Sequence, residues 1–177
     1  MNRRTYPSSI QVSGGNILSM LAAMGPFRKR GEQILAEQGI REVKPEEWYP
    51  LGAYVQALEI IGEKMGPNTL FQIGKHIPDH VMLPPGIDTF EKVAASFGMA
   101  FEMNHRGGDA GKITYEMTGD RSVTITTGTP YPTDFDKGVT QGFFHKLIST
   151  RVNVVEDSSK PSKREGAETS TFLVSTL

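Results

Sequence analysis

The chain has no cysteine among its 177 residues. That excludes disulfides, thiolate zinc sites and cysteine nucleophiles together, and leaves no redox signal of compartment. It lacks any apolar run near the roughly 20 residues that a membrane helix needs. It lacks a charge excess: 19 basic residues against 20 acidic ones give a net charge of −1, so no nucleic-acid partner and no anionic membrane surface is expected. The opening stretch MNRRTYPSSIQVSGG carries two arginines but no apolar core of a secretion signal, and a cytoplasmic location is the expectation. Tryptophan occurs once, at position 48. What remains is an ordinary globular balance, 37% hydrophobic and 22% charged, enough for one domain spanning 1–177 with its own core.

Periodicity supplies the elements. Residues 1–13 read as an extended arm, and Gly14 and Gly15 punctuate before a helix that starts near Asn16. Gly25-Pro26 breaks it, because proline cannot donate the helical hydrogen bond. A second helical piece, 27–38, ends at Gly39, a natural left-handed C′ residue. From Leu51 the apolar positions Tyr54, Val55, Leu58, Ile61 and Met65 recur every three or four residues, the mark of a buried helical face. Gly66-Pro67 stops that helix and Asn68 caps the next, which carries Leu70, Ile73 and Ile77. Thr89 and Glu91 open a further helix with Phe90, Val93, Ala94, Phe97 and Phe101.

After a glycine-rich loop, 105–111, the period drops to two. Ile113, Tyr115 and Met117 alternate with polar residues, Gly119-Asp120 turns, and Val123, Ile125 and Thr127 return as a hairpin with one buried face. Thr133-x-x-Asp136 resembles a capping box for a helix whose Gly138 and Gly142 share a face, which implies close backbone approach to a sheet or a ligand. Val152 and Val154 begin a third strand and Phe172 and Val174 a fourth. The polar stretch 157–168 between them reads as a mobile hairpin loop whose charges serve solvation. The fold class is α+β: N-terminal helices packed on a four-stranded antiparallel sheet, with a strand–strand–helix–strand–strand C-terminal half.

Several residues suggest chemistry, each beside a plainer reading. His76 and His80 stand four apart, as zinc ligands on a helix would, but Pro78 lies between them, and surface histidines are the simpler reading. His105 and Arg106 beside two glycines could form an anion cradle of imidazole, guanidinium and backbone amides, or only a polar linker. Tyr131 and Asp134 sit at the start of the last helix, as ligand contacts or as capping groups. Trp48 and Tyr49 either staple the long helix to the core or line a pocket mouth. The eight methionines could soften a cavity or simply fill the core. No nucleophile–base pair is readable, so a binding domain is expected rather than an enzyme.

Gly14-Gly15-Asn16-Ile17-Leu18, Trp48-Tyr49-Pro50 and Tyr131-Pro132-Thr133-Asp134-Phe135-Asp136-x-Gly138 carry a resemblance. The chain resembles the superfamily that unites 4-vinyl reductase-type small-molecule-binding domains, haem–nitric-oxide-binding sensor domains and TRAPP-type trafficking subunits. The resemblance implies helices on a four-stranded antiparallel sheet, with a cavity between them. Haem-binding members carry a proximal histidine before the sheet, and His105 lies in that region. They also carry a Tyr-x-Ser-x-Arg motif, and here the segment reads TITTGTPYPTDF, with no arginine. Thr133 stands where some relatives have cysteine. The functions that follow are three: a small-molecule-binding or sensory domain without catalysis, with Trp48, His105, Arg106, Tyr131 and Asp134 as ligand contacts; a haem sensor using His105, with haem as cofactor; or a dimerising interaction scaffold without ligand. The partner is accordingly an unidentified small molecule, a second copy of the chain or a separate signalling protein.

Overall fold

A computed structural model describes residues 6–177. The chain is α+β. Strand β1 (Gln11–Ser13) runs into helix α1 (Gly14–Ala23), and after the Gly25–Phe27 turn comes α2 (Arg28–Glu37). Strand β2 (Trp48–Pro50) leads directly into α3 (Leu51–Met65), and α4 (Pro67–His76) follows at once. Then come α5 (Phe90–Met103), β3 (His105–Arg106), β4 (Lys112–Gly119), β5 (Ser122–Gly128), α6 (Thr133–Ile148), β6 (Val152–Glu156) and β7 (Ser170–Thr176). The four C-terminal strands form an antiparallel sheet in the order β4-β5-β7-β6.

The alternation in β5 works as expected: Val123, Ile125 and Thr127 point into the core. The paired strand β4 is only half covered. Ile113 and Met117 are partly buried, but Tyr115 is 44% exposed, because β4 is the edge and little beyond α5 reaches it. Helix ends obey local chemistry. Gly39 takes φ +92° beyond the end of α2, the conformation that glycine tolerates best. Thr89 caps α5 by accepting a bond from the Lys92 amide at 3.2 Å.

Four expectations are corrected. Of the arm 1–13, residues 1–5 lie outside the described residues, while Gln11–Ser13 is the central strand of a second, three-stranded sheet, β2-β1-β3, with Val12 fully buried. Short strands with long-range partners carry no period to read. The cap of α4 is Gly66, with Pro67 inside the first turn in place of an Asn68 cap, since a missing proline amide loses nothing there. Thr133 is the first residue of α6 rather than its cap, which is Pro132. The expectation for Gly138 and Gly142 also changes partner. Gly138 and Gly142 approach neither sheet nor ligand but α4: a Cβ on either would strike the Phe71 or Lys75 carbonyl oxygen, and one on Gly74 would strike that of Phe135.

Two apolar clusters result. One gathers α1 to α4 around Tyr54, Leu58 and Ile61. The other lies between α5, α6 and the sheet, around Phe97, Phe144 and Phe172. Ile113 and Val139 pack against both. Among the described residues, no helix is long and apolar enough to cross a membrane.

Candidate functional site

The junction between β5 and α6 is where side chains of different character meet. Residues 129–136 leave the sheet, cross the gap between the clusters and start α6. Tyr131 is buried there, with its ring edge-on to Tyr54 (centroids 5.8 Å) and 4.9 Å from that of Phe135. His105 comes from β3 and stacks on Phe101, ring centroids 4.0 Å apart. Its Nδ1 lies 2.7 Å from the Phe101 carbonyl oxygen and its Nε2 lies 2.5 Å from the Tyr131 hydroxyl. A carbonyl can only accept, so Nδ1 carries the proton, Nε2 is the acceptor, and Tyr131 donates. The imidazole is therefore neutral. Burial lowers its pKa to about 4, against a small upward pull from the Phe101 carbonyl. Burial, with a smaller contribution from Tyr54, holds the Tyr131 hydroxyl well above its ordinary pKa, so it stays a donor.

This pair borders an inner cavity of about 40 Å³, walled by Phe97, Phe101, Phe135, Phe143 and Ile77 and touched by Asn16, Thr129 and Asp136. Such a volume holds a few waters. On the other side of Tyr131 lies an open cleft of about 800 Å³. Its walls are α3 (Val55, Gln56, Glu59, Glu63), the start of α4 (Pro67, Leu70), the 129–134 segment and Lys163, Arg164, Gly166 and Ala167. Tyr131 and Thr129 line both spaces.

The loop between β6 and β7 closes one side of the cleft. Its charges do more than solvate it. Lys163, 12% exposed, sends its ammonium to the carbonyl oxygens of Tyr131 (2.8 Å) and Thr129 (3.4 Å), to Thr129 Oγ1 (3.2 Å) and to Asp136 Oδ2 (2.5 Å). Thr129 Oγ1 in turn donates to Asp136 Oδ2 at 2.7 Å. Arg164 grips Asp134 with both terminal nitrogens, at 2.6 and 2.7 Å, and reaches Glu156 through Nε at 3.0 Å. The Arg164 pKa is raised by these bonds, that to Asp134 foremost, so the guanidinium stays charged.

The structure distributes the sequence-predicted residues over three places. His105 and Tyr131 are bonded to each other inside. Asp134 is on the cleft, held by Arg164. Trp48 and Arg106 meet on the outer face of the small sheet, the guanidinium carbon 4.5 Å from the indole centroid and Nε donating to Gln11 Oε1 at 2.8 Å. His105 and Arg106, adjacent on a strand, point to opposite sides, so they form no shared anion cradle. His76 binds Asp79 (3.0 Å) and His80 lies 3.2 Å from Ser19 Oγ, so the two do not converge. Among the described residues, no group of three or more His, Asp or Glu side chains could hold a metal. The sequence does not announce Lys163, Asp136 and Thr129 as a unit. Lys163 meets the other two only through folding, and no local spacing announces that contact.

No family model matches the chain, and no curated protein matches it. Its fold does match solved structures. One is the Fe(II) unliganded H-NOX protein from K. algicida, 13% identical, with a TM-score of 0.64 over 93% of this chain and 96% of that one. Another is an H-NOX protein from S. oneidensis in the Fe(II)NO ligation state, 10% identical, with a TM-score of 0.68 over 92% and 98%. At such identity the likeness is one of fold, matching the haem–nitric-oxide-binding branch of the sequence resemblance.

Proposed function

We propose that this chain is a non-catalytic small-molecule-sensing domain that takes its ligand in the cleft beside Tyr131. The carrying observation is that one side chain, Tyr131, walls both the 800 Å³ cleft and the inner cavity where it bonds His105. The volume falls within the range of small-molecule sites. Its lining suits such a ligand: Val55, Leu70, Pro130 and Pro132 offer apolar contact, and Asp134, Lys163 and Arg164 offer a few fixed charges. A ligand that moved Tyr131 would disturb a hydrogen bond in the interior, and so shift the packing of the helical cluster against the sheet cluster.

A second reading is a haem sensor with His105 as the axial ligand. The likeness to H-NOX structures and a buried, neutral imidazole support it. The residues around His105 do not fit a haem in this conformation. Tyr131 occupies the Nε2 lone pair, and aromatic rings leave only about 40 Å³ beside it.

Native mass spectrometry together with an absorption spectrum separates the readings. The cleft reading expects a colourless protein that gains a stoichiometric organic mass, carried from the cell or added from a metabolite extract, and loses it when Tyr131→Trp fills the cleft wall. A Soret band that disappears in His105→Ala would overturn it in favour of haem. A clean mass under every condition, with a dimer as the sole species, would overturn it in favour of an interaction scaffold.

A further inference from the structure

Four atoms surround the Lys163 ammonium, and every one is presented to it as an acceptor. Two are main-chain carbonyl oxygens, of Thr129 and Tyr131; one is Asp136 Oδ2; one is Thr129 Oγ1, whose own hydrogen is directed at Asp136. Asp136 is 4% exposed and rigidly placed in the first turn of α6. Thr140 Oγ1 bonds the Asp136 carbonyl, which fixes that turn. The result is a cradle of acceptors that includes a buried carboxylate, so it suits a cationic N–H group best and repels an anion. Main-chain oxygens belong to the 129–131 segment whatever the β6–β7 loop does. The lysine, by contrast, arrives on a loop more than 25 positions later in the chain, at the end of a long flexible stem.

The cradle also faces the cleft. Thr129, Tyr131 and Lys163 line it, Asp136 lies behind them on the inner cavity, and apolar surface from Val55, Leu70, Pro130 and Pro132 lies beyond. A molecule with an ammonium at one end and an apolar body could place the first in the cradle and the second along that wall. We propose that residues 129–136 form a recognition site for the ammonium group of an amine ligand, and that Lys163 fills it as a tethered stand-in until the ligand displaces it. This rests on the cleft being the ligand site, and adds the chemical class of ligand and the way the empty site is kept closed. Displacement would free the Lys163 side chain, leaving the loop held by Arg164 on its carboxylate partners, by Ser162 on Glu156 and by the Lys163 amide on Ser170 Oγ.

The test is chemical rescue with hexylammonium, using methylammonium as a short-chain control. Lys163→Met empties the cradle while keeping the stem's bulk. Its melting temperature should rise by roughly 5–10 °C at a hexylammonium concentration about 100 times Kd. Methylammonium should act far more weakly, and the wild type, with its cradle filled, should bind hexylammonium at least tenfold more weakly than Lys163→Met. Adding Asp136→Asn to Lys163→Met should abolish the response. If Lys163→Met does not fold alone, recovery of its near-ultraviolet dichroism by hexylammonium is the same result. Lys163→Gln, whose amide still donates to Asp136, then serves as the folded companion. Equal amine binding by wild type and Lys163→Met, equal binding after Asp136→Asn, or no saturable response in any Lys163 variant would each overturn the proposal. A non-amine mass on wild-type protein together with no amine response would sink the amine cradle and leave the sensing reading standing. Absence of any cleft ligand together with amine rescue would do the reverse.

Discussion

A single hydrogen bond, from the Tyr131 hydroxyl to His105 Nε2, sets the electrical state of the interior. It requires a neutral imidazole, and burial enforces one by lowering the folded pKa to about 4 from an ordinary 6.5. The sign follows from linkage. The unfolded chain binds a proton at this residue below pH 6.5, and the folded chain resists until about pH 4. The stabilisation is therefore complete above pH 6.5 and is lost as pH falls toward 4, by about 3 kcal/mol at most. Denaturant melts at pH 7.5 and 4.5 should show that loss in the wild type, and a smaller loss in His105→Gln, which cannot titrate. Equal losses would mean that other groups dominate. Tyr131→Phe removes only the hydroxyl and leaves Nε2 without its donor, at a cost of about 1–2 kcal/mol. The same variant should raise the His105 pKa if water enters to replace the hydroxyl, measured from the imidazole proton resonances. Neither residue's partner could be read from the sequence. His105 was visible as a histidine in a glycine loop and Tyr131 as an aromatic beside two prolines, but 26 positions separate them and only the folded chain selects the pair.

At the scale of elements, α4 and α6 cross with their backbones in close contact. Gly74, Gly138 and Gly142 let the two backbones touch where any Cβ would collide with a main-chain oxygen. Backbone cannot swing aside as a side chain can, so Gly138→Ala forces the helices apart. It should destabilise by about 3 kcal/mol, at the upper end of overpacking effects, which lowers the melting temperature by roughly 6–12 °C. The control is Gly39→Ala, at the end of α2, where nothing lies within 4 Å of the added methyl and only the positive φ is strained. Calorimetry should show a much smaller loss there, and a loss equal to that of Gly138→Ala would remove the close approach as the cause. The glycine pair was legible as a demand for proximity, because a spacing of four is a statement about one helix face. What it would approach was not, since α4 offers a glycine of its own in a segment otherwise patterned like its neighbours. The same limit governs the strands. β5 could be read because it is covered, β4 was over-read because edge position does not show in a period of two, and the short strands β1, β2 and β3 had no period at all.

At the scale of the whole molecule, the order of elements was legible and the division of the core was not. Alternation and helical stripes place each element in turn, and that order is shared with H-NOX structures across almost the full chain. They do not say that the apolar residues separate into a helical cluster and a sheet cluster, joined through few side chains. Val139 on α6 and Ile113 on β4 are such joints, each packed against both. A sensing domain of the kind proposed needs coupling there, because Tyr131 and the cleft belong with the first cluster and the open sheet with the second. Val139→Ala shortens a joint outside the cleft lining, at a side chain that also walls the inner cavity beside His105 and Tyr131. The expected loss is about 1–2 kcal/mol, with the fold intact. The informative readout is native-state hydrogen exchange. If the two clusters open together in the wild type, amides in α3 and in β5 share one protection free energy, and weakening the joint should separate them, with β5 and α3 falling by different amounts. Uniform loss of protection across both clusters would instead mean that Val139 is ordinary core, and that communication between cleft and sheet runs through the 129–136 segment alone.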